Sequence, residues 1–116
     1  MKAKFVNEAM GDVLKGKSDE EIMSSLENTN LDINDLLINT ARVGFLSGVK
    51  KALKMGANVH VYNDAALRNA SENGHLNVVE LLFKYGADVH ANNDDALWWA
   101  SQNSHLDVVK LLKKYM

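Results

Sequence analysis

Four histidines fall at His60, His75, His90 and His105, each 15 residues after the last. Imidazole is both a metal ligand and a general base near neutral pH, so the even spacing suggests a ladder of metal sites or a set of acid–base centres. The rest of the chain does not supply what either chemistry needs. There is no cysteine, which removes thiolate ligands, thiol nucleophiles and disulfides. The carboxylates of Glu21, Asp64, Asp94 and Asp95 sit where helices are expected to begin. No Ser-His-Asp set or carboxylate pair can be assembled from positions that should converge. The glycines close helices and form no phosphate-cradling loop. The chain is therefore read as non-enzymatic, with no metal and no cofactor.

The histidine spacing has a simpler source in an internal repeat. "NDAALRNASENGHLNVVELLFKYG" from Asn63 aligns with "NDDALWWASQNSHLDVVKLLKKYM" from Asn93, with 15 of 24 positions identical. A fainter copy, "INDLLINTARVGFLSGVKKALKMGANVH", lies 30 residues earlier and keeps Leu37, Leu46, Val49 and Gly56 in register. His75 then corresponds to His105, and His60 to His90. Equivalent positions in stacked units are expected about 8 to 10 Å apart, the distance between packed helices, whereas one zinc requires each nitrogen about 2 Å away.

The elements that position these residues follow from apolar spacing. Leu67 and Ala70 form one helical face; Leu76, Val79 and Leu82, flanked by Val78 and Leu81, form a broader one. Gly74 between them is a left-handed stop. Asp64 and Asp94 are candidate N-caps for the first helix of each unit. Such helices fall below the roughly 12 to 15 residues at which an isolated helix becomes even marginal, so they must stack. The predicted fold is an all-α solenoid of three helix pairs, with repeats over 34–62, 63–92 and 93–116. Residues 1–33 are read as an N-terminal helical cap. Ser18 and Glu21 make a capping box there, Ile22, Met23 and Leu26 give an apolar face, and residues 1–14 pack as an extra helix.

The stretch "NGHLNVVELLFKYGADVHA" resembles the second half of an ankyrin repeat, and the likeness extends over about residues 34–116. Two departures stand out. The period is 30 against about 33 in the family, and the family's Thr-Pro-Leu-His opening is replaced by "AALR" and "DALW". This shorter form resembles ankyrin repeats of large DNA viruses and some phages, and the lost residues are expected to trim the projecting loop. The resemblance implies that His75 and His105 are structural, bonding to nearby backbone. It also implies that a concave surface along the first helices grips a partner protein.

A helical wheel then separates the two adjacent tryptophans. With Leu97 at the core, Trp98 lies roughly 100° away and Trp99 roughly 200° away. Trp99 is thus expected to point outward, as the anchor of a contact column running Asn39, Asn69, Trp99. Arg42, Glu72 and Gln102 flank it on one side, and Val43, Asn73 and Asn103 on the other. Trp98 is expected to seal the open end of the stack, and Ser101 to face the core. Tyr62 and Asn92 are further contact candidates at the loop tips. Ser104 stands where Gly74 does, which predicts a distorted last turn.

The chain has 116 residues, 47% hydrophobic and 24% charged, with a net charge of −2, enough for one compact domain. No basic stripe suited to nucleic acid is present. Nothing approaches 18 consecutive apolar residues, and the opening residues lack a signal-peptide core. The expectation is a soluble, cytoplasmic protein, in the host cytoplasm if viral. Residues 17–35 carry −5 and 36–62 carry +4, a juxtaposition that favours mutual packing. Lys50, Glu80 and Lys110 are expected to alternate in charge along the outer helices. The function read from this is monomeric, non-catalytic binding of a partner protein, plausibly a host factor inhibited by occlusion. The alternative is self-association through the last repeat.

Overall fold

The computed structural model describes residues 32–116. The cap expected over 1–33 therefore lies outside the described residues, apart from its last two. Six helices follow: α1 (Ile33–Val43), α2 (Leu46–Lys54), α3 (Val61–Glu72), α4 (Leu76–Lys84), α5 (Ala91–Gln102) and α6 (Leu106–Lys114). They form three hairpins, α1 with α2, α3 with α4 and α5 with α6. The first helices pack side by side as one layer, and α2, α4 and α6 form a second, looser layer behind them. No strand occurs among the described residues. The chain is an all-α solenoid, as its periodicity implies.

The core is built from recurring positions. Leu37, Leu67, Val49 and Val79 are buried, while Leu97 and Val109 of the last pair are only half-buried. Phe83 is covered from the third repeat, where the Tyr115 ring stacks on it with centroids 3.9 Å apart. Ser101, expected towards the core, is exposed, although its equivalent Ser71 is fully buried. The difference is one of neighbours: Ser71 has another helix pair packed beside it. The Lys50, Glu80, Lys110 column makes no ion pair among the described residues, whereas Arg68 pairs with Asp95 across the second and third repeats.

The turn within each hairpin shows why glycine recurs. Gly44 (φ 78°) and Gly74 (φ 75°) are left-handed, and each receives the imidazole of the next repeat against its backbone. A Cβ on Gly44 would lie 2.5 Å from His75 Nδ1, and one on Gly74 2.5 Å from His105 Nδ1. His75 Nε2 donates to the Arg42 carbonyl at 2.9 Å, so that nitrogen carries a proton. Ser104 is left-handed too, at φ 59°, yet the expected distortion does not occur. Its turn bonds, Ser104 N to Ser101 O at 3.1 Å and His105 N to Ala100 O at 2.9 Å, match those around Gly74 at 3.2 and 2.9 Å. Serine accepts an intrinsic cost of about 1–2 kcal/mol there.

Candidate functional site

The entry to α3 and α5 is where the structure departs most from the periodic reading. Tyr62, Asn63 and Asp64 have φ of 52°, 54° and 57°, and Asn92, Asn93 and Asp94 have 57°, 57° and 60°. Each triplet is a short left-handed turn preceding the helix proper. L-residues pay about 1–2 kcal/mol each for this conformation, and Asn and Asp tolerate it best because their short side chains bond locally. Five of these six positions are Asn or Asp, with Tyr62 the exception.

Asp64 does not act as the N-cap expected of it. Its side chain is nearly buried (4% exposed) and spans two elements. Oδ1 accepts from His60 Nδ1 at 2.9 Å, and Oδ2 accepts the Asp88 N–H at 2.8 Å. Asn34 makes the same stitch one repeat earlier, accepting the Asn58 N–H at 2.8 Å. Asp94 keeps the first contact, with His90 Nδ1 at 2.6 Å. Thus His60 and His90 are orienting partners for aspartates. The sequence carried this signal as His-x-x-x-Asp at identical places in both repeats. No serine or threonine hydroxyl bonds to either imidazole among the described residues, and one oxygen of Asp64 is committed to backbone. The His60–Asp64 pair thereby braces the turn of the second repeat against the loop at Asp88.

Across the first-helix row, the expected contact residues divide into open and closed. Asn39 is 4% exposed, with its Nδ2 folded back onto the Asp35 carbonyl at 2.9 Å, and so is withdrawn from the surface. Arg42, Asn69 and Glu72 are half-buried, and Gln102, Asn73 and Asn103 are exposed. Two asparagines are tied to helix ends: Asn73 Nδ2 donates to the Asn69 carbonyl at 2.9 Å and Asn103 Nδ2 to the Glu72 carbonyl at 2.8 Å. The second of these joins repeats. Tyr62 is 67% exposed, and Asn92 is exposed with Nδ2 3.3 Å from Asp95.

The tryptophans do not part as the wheel implies. Trp98 is 53% and Trp99 36% exposed, and their rings meet edge to face at 87° with centroids 4.8 Å apart. Backbone directions 100° apart leave long indoles free to converge. The two rings form one aromatic surface at the third repeat, an arrangement worth about 0.5–1.5 kcal/mol beyond burial.

Behind this row, an open groove of about 280 Å³ runs between the Gly44 and Gly74 turns, lined by Leu46, His75, Leu76 and Asn77 among others. No cluster of three or more histidine, aspartate or glutamate side chains suited to a metal is present among the described residues. None of the described helices is long and apolar enough to cross a membrane. A family model for ankyrin repeats, in three copies, matches residues 22–116. No curated protein matches the chain.

Proposed function

The chain belongs to the ankyrin repeat family, whose repeats are generally modules for protein–protein interaction, and from that premise we propose that it binds a partner protein through the concave row of its first helices. The observation that carries this reading is the joined surface of Trp98 and Trp99, large and solvent-facing on an otherwise polar row. Exposed tryptophan is among the commonest residues to dominate an interface. Trp99 is the central anchor, with Asn69, Glu72, Gln102 and Asn103 around it and Arg42, Asn73, Tyr62 and Asn92 further out. Asn39, buried, supports the row from beneath. The 30-residue period and the altered repeat openings support a viral or phage source and a host target held by occlusion in the host cytoplasm, with the protein acting as a monomer.

Affinity capture from cells of the native host tests the reading. Trp99→Ala is expected to weaken capture by about tenfold or more while leaving the thermal midpoint nearly unchanged. Equal capture by the variant would overturn it. Self-association through the same aromatic surface is the second reading, favoured by the half-exposed Trp98; sedimentation as a monomer at about 50 µM, well above a tight dimer's dissociation constant, would exclude it.

A further inference from the structure

Arg68 of the second repeat makes contacts that the third repeat cannot make for itself. Its Nη2 donates to the Tyr62 carbonyl at 3.0 Å and its Nε to the Asn63 carbonyl at 3.2 Å, both in the left-handed turn of its own repeat. Its Nη1 reaches Asp95 of the next repeat at 3.4 Å. One planar guanidinium therefore holds the turn and ties it to its neighbour. The third repeat reproduces the backbone of that turn, with Asn92, Asn93 and Asp94 in the same left-handed region, but it has Trp98 where the second has Arg68.

The groups that Arg68 and the Asp88 N–H serve in the second repeat therefore go without those donors in the third, among the described residues. No side chain among the described residues donates to the Asn92 or Asn93 carbonyl. Asp94 binds His90 through Oδ1, and its Oδ2, equivalent to the Asp64 oxygen that takes the Asp88 N–H, has no donor among the described residues. Trp98, which stands at the repeat position of Arg68, offers a half-exposed aromatic face, and such faces attract cations. Two carbonyls served by different nitrogens of one planar fork favour arginine over lysine, whose ammonium is a single point.

We propose that the left-handed turn of the third repeat, with Trp98, is a guanidinium-binding site for an arginine-bearing segment of a partner protein. The ligand arginine takes at the third repeat the place that Arg68 takes at the second. It donates to the carbonyls of Asn92 and Asn93 and lies against Trp98, while a backbone N–H of the same segment donates to Asp94. The site lies at the turn of the third repeat and shares Trp98 with the aromatic surface of the concave row.

The test is an NMR titration of the ¹⁵N-labelled full chain with a short blocked peptide containing one arginine, against the same peptide with lysine. Saturable shifts are expected at the amides of Asn92 to Asp95 and at the Trp98 indole N–H. Binding should be in the millimolar range for so small a ligand, and about fivefold weaker for lysine. Trp98→Arg, which restores the internal clamp, is expected to raise the melting temperature and abolish the response. Equal shifts with both peptides, no shifts at residues 92–95, or a folded Trp98→Arg variant that still responds would each overturn the proposal. Should that variant not fold, the arginine–lysine comparison on the natural chain decides alone. Self-association that is lost in Arg42→Ala would overturn it in favour of a second copy as the arginine donor. Because the titration is independent of capture by Trp99, this site and the concave-face reading fail separately.

Discussion

The second and third repeats share 15 of 24 aligned residues and the same backbone at their left-handed turns, yet they hold that backbone differently. In the second, the turn is bound by Arg68 on its carbonyls and by the Asp88 N–H on Asp64. In the third, the His90–Asp94 contact remains and Asn92 Nδ2 reaches Asp95 at 3.3 Å. The conformation persists without the outer partners, so it is encoded locally, by asparagines and aspartates that accept left-handed geometry. The partners determine what the turn is joined to. Similar local sequence thus yields a turn stitched to its neighbour in the second repeat and one without those stitches in the third.

Substitutions at positions 30 apart can break this contrast. The largest effect is expected at Gly74, where a methyl group meets both a left-handed backbone and the His105 ring. Gly74→Ala should cost about 2–4 kcal/mol by urea denaturation, whereas Ser104→Gly should stabilise by up to about 1 kcal/mol. Equal responses at the two sites would show that the imidazole contact contributes nothing. Next comes the aspartate pair. Asp64→Ala leaves the Asp88 N–H without its acceptor and should cost about 1–3 kcal/mol. Asp94→Ala, at a side chain 43% exposed, should cost about 0–1 kcal/mol. The smallest effect is at Ser71, whose fully buried hydroxyl has no hydrogen-bond partner. Ser71→Ala should stabilise by up to about 1 kcal/mol, while Ser101→Ala should leave the melting temperature unchanged; a loss at Ser71 would show that its hydroxyl is satisfied in solution.

What could be read from the sequence was what depends on short-range periodicity. The helix pairs and the glycine stop at Gly74 follow from spacing that repeats, and the structural role of His75 from the family resemblance. The left-handed triplets did not, because aspartate before an apolar run is favoured both as an N-cap and in left-handed backbone, and residue type alone does not separate the two. The exposure of Ser101 was missed because a helical wheel gives direction without saying whether a neighbour stands there. Asn39 was placed outward by the same wheel, but its amide found the Asp35 carbonyl within its own helix. The indoles of Trp98 and Trp99 reached each other because side-chain length outweighs backbone angle. At the candidate site, residue types and columns were therefore visible, while the division into buried, tethered and open residues required coordinates.

Ser104 has a consequence for how such an array grows. A duplicated copy of residues 63–92 placed behind the third repeat would bring a turn histidine onto a serine Cβ, at the distance that excludes any side chain from Gly44 and Gly74. Lengthening by duplication in this register therefore demands a point mutation first, Ser104→Gly.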